Sequence, residues 1–262
     1  SFLNHYFPKK LHFSIEAGGD MEPRATELLI LFSIGFLAAA VSGMAGFGGA
    51  LLLLPFLTQT LGTNLAVPVL TIAQLIGNLS RVTLGFRAIS WKPVLSFIAS
   101  ALPAACAGSM LFVTIDGSLI VRLTGAFIII FVIFQMTHGS TFTNTTARMV
   151  AGGAITGFIS GLIGSAGPIG AAFFLSLNLP PVSYLASEAV TAVFMHVVKL
   201  GVYRSALNIG GKALTIGLFI GAAMILGTWA GKKLIERIPK QKFRLAVGIL
   251  LILVGSLMIV RG

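Results

Sequence analysis

Long uninterrupted runs of apolar residues, separated by short polar segments, dominate this chain. Most of the runs are about 20 residues long, the length that a helix needs to cross the hydrocarbon of a bilayer. None alternates apolar and polar positions as a strand of a membrane barrel would. The pattern therefore predicts an all-α integral membrane protein of about eight transmembrane helices. The runs cover about residues 26–61, 65–87, 92–114, 119–137, 149–179, 182–204, 212–235 and 243–260.

One glycine pattern, Ser-Gly-x-x-Gly-x-x-Gly, occurs in the first run and again 118 positions later in the fifth. Glycine weakens a helix and bares its backbone, and both runs are overlong for one perpendicular crossing. We therefore expect two four-helix repeats whose first helices are broken at the glycines. The pattern comprises Ser42, Gly43, Gly46 and Gly49 in the first copy, which also contains Gly48, and Ser160, Gly161, Gly164 and Gly167 in the second.

The repeats divide the chain into four parts. Residues 1–25 are expected to form a polar N-terminal extension, 26–137 the first membrane repeat, 138–148 a Thr-rich linker and 149–262 the second membrane repeat. Four full crossings per half would make the repeats parallel, whereas re-entrant glycine segments would make them inverted. Both topologies stay open, because the basic residues flanking the runs are too evenly distributed for the positive-inside rule to decide.

Composition supports a membrane location and excludes several function classes. Of the 262 residues, 56% are hydrophobic and 10% charged, against about 25% charged in soluble domains. The net charge of +11 does not indicate nucleic-acid binding, because the basic residues lie at the ends of apolar runs. Cys106 is the only cysteine, so an intrachain disulfide or a cysteine-based metal cage is excluded. No HExxH, GxSxG or Walker motif occurs, and we predict neither catalysis nor a cofactor or metal.

The broken helices are candidates for anion binding. A helix that restarts within the bilayer exposes N–H groups and the positive end of its dipole. Irregular backbone at that depth is tolerated where it lines a cavity or is buried in protein. The hydroxyls of Ser42, Ser160 and Ser165 would add donors. The alternative is close helix packing, since small-xxx-small patterns are common in membranes.

Two cations also repeat at the offset of 118, Arg81 and Lys199. An ionised side chain in a membrane segment is costly unless it is paired or hydrated, and such residues often line substrate paths. We predict that both hold an anionic substrate; the alternative is snorkelling to the interface. Gln74 and Asn78 lie one turn apart and are predicted to line the same path, or else to bond neighbouring helices.

Glu188 and His196 share roughly one helical face with Lys199. A carboxylate and an imidazole along a transport path can relay protons. Proton coupling is one interpretation of this pair; the alternative is a structural hydrogen bond or an acid at the helix end close to Pro181.

The glycine motifs carry a family resemblance. The segments Gly46–Pro55, Gly161–Pro168 and His196–Tyr203 resemble the TauE/SafE sulfite exporter family, and the resemblance spans about residues 27–261. It implies an inner-membrane permease of bacterial type for sulfite, sulfonates, sulfoacetate and related anions. It also implies that the glycines of both motifs and Lys199 are functional positions. The second motif departs from a full glycine triplet with Ser165-Ala166-Gly167-Pro168, which bears on substrate choice.

We therefore predict a multi-pass permease for small sulfur-containing anions, working by secondary or passive transport with alternating access. Its expected partners are a small anionic substrate and the lipid bilayer. A homo-oligomer is compatible with the sequence, and nucleic acid is not an expected partner. A passive anion channel and a membrane-embedded component of sulfur metabolism are the alternatives.

Overall fold

A computed structural model describes residues 25–45, 49–137, 146–177, 179–207, 209–235, 249, 252–253 and 255–260. Every regular element in this part of the chain is helical, as the apolar runs predicted. The division of the chain at 1–25 and 138–148 falls largely outside the described residues and stays a prediction. The principal helices are α1 Ala25–Ala45, α2 Gly49–Leu61, α3 Thr63–Gly85, α4 Trp91–Thr114, α5 Gly117–Thr137, α6 Thr146–Ile163, α7 Gly167–Leu175, α8 Pro181–Leu207 and α9 Gly211–Ile235.

Five helices of the described part are long and apolar enough to span a bilayer: α3 with the short 3-10 turn after it, α4, α6, α8 and α9. Their apolar windows are only about one third to one half buried within the protein. Large apolar side chains such as Leu84, Phe194 and Trp229 stay exposed on them. Such a surface suits lipid and not water, so the chain is a multi-pass membrane protein.

The second overlong run is broken where its glycine motif predicted, and the described part of the first run also comprises two helices. In the second run α6 ends at Ile163 and α7 starts at Gly167. In the first run α1 ends at Ala45 and α2 starts at Gly49, with 46–48 outside the described residues. The end of α6 and the start of α7 thus lie 118 positions after the last described residue of α1 and the first described residue of α2.

The long helices pack in a row with α3 and α8 in contact at its centre. Next to this central pair, α9 packs on α3 and α4 packs on α8. The outermost contacts are those of α1 with α9 and of α6 with α4. From the centre outward, the row runs α3, α9, α1 on one side and α8, α4, α6 on the other. Residues from both halves of the chain therefore meet at α3 and α8.

Glycines let α6 approach the backbone of α4. A Cβ added at Gly153, Gly157 or Gly161 would collide with the carbonyl oxygens of Phe97, Ala101 and Ala105, respectively. The three glycines are spaced by four residues and so share one face of α6. This is the small-residue packing that membrane helices use to bring backbones together.

Candidate functional site

The break between α6 and α7 is a three-residue turn that depends on glycine. Gly164 has a φ of +86°, in the left-handed region that L side chains rarely adopt. A Cβ there would also come within 3.1 Å of the Val67 side chain. The turn lets the chain end α6 at Ile163 and restart as α7 from Gly167 without leaving the protein interior.

Two side chains of α8 satisfy the carbonyl groups at the end of α6. The Lys199 Nζ donates to the Gly164 carbonyl at 2.8 Å and to the Ser160 hydroxyl at 3.2 Å. The Tyr203 hydroxyl donates to the Gly161 carbonyl at 2.9 Å. The last carbonyls of a helix lack intrahelical partners and carry the negative end of its dipole. A fully buried lysine, 0% exposed, therefore lies where a cation is favoured.

A cavity of about 60 Å³ borders the turn. It is bordered by the start of α7, the middle of α3 and α8, α6 and one face of α9. Gly167 lies on it with open space around its Cα. The lining consists of Ala50, Gln74, Gly77, Asn78, Arg81, Thr156, Ser160, Ser165, Ala166, Gly167, Pro168, Gly170, Glu188, Thr191, Ala192, Met195, His196, Met224 and Thr228.

Four buried polar atoms of this lining have no hydrogen-bond partner within the described part of the chain. They are Gln74 Nε2, Thr156 Oγ1, Ser165 Oγ and His196 Nδ1. A buried polar atom without a partner costs about 1–3 kcal/mol, and native proteins contain few. Their convergence on one cavity therefore indicates a place where a polar ligand or water completes the hydrogen bonds.

The N-terminus of α7 offers fewer backbone donors than the sequence predicted. Pro168 has no N–H, and the N–H groups of Ile169 and Gly170 both donate to the Ala166 carbonyl, at 3.0 and 3.2 Å. Side chains therefore make up a larger part of the donor surface than the backbone of the broken helix does.

Charged groups of both signs border the cavity. Arg81 is half-buried on α3, and Glu188 is 7% exposed on α8. The two interact electrostatically, and the described residues give neither of them a salt bridge. The guanidinium is thus able to attract an anion, while the carboxylate of Glu188 would repel one unless it were protonated.

A hydrogen bond joins the central helices at the cavity wall. The Asn78 Nδ2 lies 3.3 Å from the Nε2 of His196, and the two residues are 118 positions apart. They share the offset of the two glycine motifs and lie near the middle of α3 and of α8.

The cavity brings together eight of the residues that the sequence singled out: Gln74, Asn78, Arg81, Ser160, Ser165, Gly167, Glu188 and His196. Three others lie close by but outside its lining. Gly161 contacts α4, and Gly164 forms the turn. Lys199 donates a hydrogen bond to the Gly164 carbonyl of that turn.

The first glycine motif is described only in part. Gly46 and Gly48 lie outside the described residues, as do the side-chain surroundings of Ser42 and Gly43 in α1. Gly49 begins α2, and Ala50, the next residue, is part of the cavity lining.

Sequence reasoning missed Thr156, a residue of the cavity lining whose buried hydroxyl has no partner among the described residues. Its position one turn before Ser160 on α6 was the available signal, since residues four apart share a helical face. Met224 and Thr228, one turn apart on α9, also line the cavity, and no motif distinguishes them.

Comparison with known proteins agrees with this architecture. The family model described as sulfite exporter TauE/SafE matches residues 31–258, which include both breaks and the whole described cavity lining. No curated protein and no solved structure matches the chain. A match over most of the sequence confirms the resemblance carried by the glycine motifs: the chain belongs to the TauE/SafE sulfite exporter family.

Proposed function

We propose that this protein is a permease for small sulfur-containing anions, with the cavity between α3, α6, α7 and α8 as its binding site. The observation that carries the proposal is the convergence of four unpartnered buried polar atoms and Arg81 on one cavity. An oxyanion offers several acceptor oxygens to such donors, and charge-assisted hydrogen bonds are the stronger ones. Family membership supports sulfite or a sulfonate as the anion.

The size of the cavity favours a small substrate. On the measure used for cavities, one water needs about 10–15 Å³, so about 60 Å³ accommodates a ligand of a few non-hydrogen atoms. Sulfite and the head group of a small sulfonate both meet this limit. A longer sulfonate would need the cavity to open.

Lys199 is proposed to act on the anion without touching it. Its ammonium group is hydrogen-bonded to Gly164 and Ser160, and Ser160 lies on the cavity wall. The cation thereby fixes the turn that presents Ser165 and Gly167, and its charge adds to a positive potential nearby. Arg81, at the equivalent position of the first half, is the cation proposed to contact the substrate.

Two structural repeats are proposed to move relative to each other for alternating access. Matching helix breaks 118 positions apart and the same packing order on both sides of α3 and α8 support this duplication. The cavity lies at the centre of that row, where a substrate site between repeats is expected. A bacterial inner membrane is the proposed location, and secondary or passive transport the proposed energetics.

Flux of radiolabelled sulfite and methanesulfonate into proteoliposomes tests the proposal. We expect saturable uptake of both anions, competition between them and little competition from acetate, which has two acceptor oxygens in place of three. Accelerated exchange when unlabelled sulfite is present on the opposite side would indicate a carrier. Uptake that rises linearly without exchange would favour a channel, and equal rates in protein-free liposomes would refute transport of these anions.

Ser165→Ala supplies a site-directed test of the same proposal. Removing the unpartnered hydroxyl is expected to raise the KM for sulfite about tenfold or more, since one hydrogen bond to a charged group contributes about 1.5–3 kcal/mol. Ser205→Ala is the matched control, because this exposed hydroxyl on α8 bonds only the nearby Val202 carbonyl among the described contacts. Equal KM values in both variants would remove Ser165 from the site.

A further inference from the structure

The hydrogen bond between Asn78 and His196 determines which ring nitrogen of the histidine carries a proton. A side-chain amide nitrogen is a donor only. With the Asn78 amide oriented so that its Nδ2 lies 3.3 Å from His196 Nε2, Nε2 is the acceptor and carries no proton. The proton of the neutral ring is then on Nδ1.

The other ring nitrogen is unpartnered in a residue of the cavity lining. His196 is only 3% exposed, it is one of the residues that line the cavity, and its Nδ1 has no hydrogen-bond partner among the described residues. In the tautomer set by Asn78, Nδ1 is a donor. The unpartnered atoms of the wall can then all donate: an imidazole N–H, the amide N–H of Gln74 and two hydroxyls.

We infer that Asn78 holds His196 in its Nδ1–H tautomer and that this N–H is a neutral hydrogen-bond donor to the oxyanion. Asn78 is thus a positioning residue, and His196 contacts the substrate. The inference rests on the proposed function, because it assigns a role within the same anion site. It follows the general rule that the partner of one imidazole nitrogen fixes the role of the other.

The role is specific to the second half of the chain. The equivalent of His196 in the first half is Asn78 itself, so the two halves contribute different groups at this point. A pair of identical asparagines would also bridge α3 and α8, but it would offer no imidazole N–H. The asymmetry of the pair therefore adds a donor at the place where both halves meet.

Nitrogen-15 NMR of protein labelled in the histidine ring tests the tautomer directly. The chain contains four histidines, and the spectrum of His196→Gln identifies the resonances that belong to His196. We expect a protonated Nδ1 and an unprotonated Nε2, with the Nδ1 resonance moving when methanesulfonate is added. A protonated Nε2, or an Nδ1 resonance unmoved at methanesulfonate concentrations that saturate transport, would overturn the inference.

Flux measurements separate this inference from the proposed function. If sulfite and methanesulfonate are transported but the His196 resonances do not respond, the permease stands and the donor role fails. If neither anion binds nor is transported, the proposed function fails together with the inference. The wild-type protein supplies these outcomes, so they do not depend on whether a variant folds.

Two variants then separate pairing from donation. Asn78→Leu is expected to release the tautomer preference in the NMR spectrum and to weaken methanesulfonate binding. The exchange Asn78→His with His196→Asn keeps an asparagine–histidine pair between α3 and α8 but moves the imidazole to the other helix. We expect binding to remain at least about tenfold weaker than in the wild type, about 1.4 kcal/mol. Full recovery of binding in the exchange variant would show that only the pairing matters.

Discussion

Arg81 and Lys199, which share the offset of the glycine motifs, have different environments. The sequence predicted both as cations within membrane segments, and they share the offset of 118. The structure brings Arg81 to the cavity and Lys199 to the carbonyl and hydroxyl groups of the α6 end. The sequence could not distinguish them, because the partners of Lys199 lie 35 and 39 positions away and meet it only through packing of α8 on α6.

The sequence also could not show which buried donors lack a hydrogen-bond partner. Ser165 was predicted from its place within the second glycine motif and Gln74 from its place one turn from Asn78, whereas Thr156 was not predicted. Its hydroxyl is one of many in apolar helices, where Ser and Thr commonly bond the carbonyl four residues earlier. Thr71, for example, bonds the Val67 carbonyl at 2.8 Å. Only the three-dimensional contacts show that Thr156 lacks such a bond.

Glu188→Gln tests proton coupling at the residue scale. Glu188 is the carboxylate of the cavity wall, and its protonation would remove a negative charge that opposes anion binding. We expect that an imposed pH gradient changes the initial rate of sulfite flux in the wild type and has a much smaller effect in the variant. Since glutamine is nearly isosteric, folding should be retained. An equal response of both proteins to the gradient would exclude Glu188 as the coupling group.

At the scale of elements, the three glycines of the second motif have three different functions. Gly161 brings α6 against α4, Gly164 adopts the positive φ of the turn, and Gly167 leaves space at the cavity. The sequence predicted the break and its position, because spaced glycines within an overlong run disfavour a continuous helix. Helix packing and ligand binding were the two alternatives for these glycines. Gly161 packs against α4, and Gly167 is part of the cavity lining.

Substitution of Gly164 and Gly167 separates folding from binding. Gly164→Ala is expected to lower the melting temperature, because alanine at positive φ costs about 1 kcal/mol or more and its Cβ would crowd Val67. Gly167→Ala should melt like the wild type but transport sulfite more slowly, since its methyl group enters the cavity. Gly201→Ala, which has open space around it on an exposed part of α8, is the control for both. A stable Gly164→Ala variant with normal flux would refute the need for glycine in the turn.

Tyr203→Phe tests the bracing of the α6 end. The substitution keeps the ring that packs against Phe112, at 5.3 Å between ring centroids, but leaves the Gly161 carbonyl without the hydroxyl that donates to it. An orphaned buried carbonyl is expected to cost about 1–3 kcal/mol, measurable as a lower melting temperature in detergent. Tyr184→Phe is the comparison, because no hydrogen bond of the Tyr184 hydroxyl is present among the described contacts. Equal melting temperatures for the two variants would contradict the bracing role.

On the scale of the whole molecule, apolar run length predicted the helical membrane fold and most helix bounds to within a few residues. The packing order was not predictable from run lengths, because lipid-facing and protein-facing surfaces of these helices are both apolar. Only the structure shows that Gly153 and Gly157 mark the interface where α6 contacts the carbonyls of α4. The duplication foreseen from the offset of 118 fits the row of helices centred on α3 and α8 and stays a proposal.

The account as a whole depends on a single claim, that the cavity between the central helices binds the transported anion. The concentration dependence of sulfite flux in proteoliposomes tests it most directly, with Arg81→Gln compared against Arg87→Gln. Arg81 lines the cavity, whereas Arg87 is exposed six positions later. We predict that Arg81→Gln raises the KM for sulfite about tenfold or more, as expected for losing one charge-assisted interaction, while Arg87→Gln leaves it unchanged. A wild-type KM in Arg81→Gln, or an equal increase in both variants, would contradict the account.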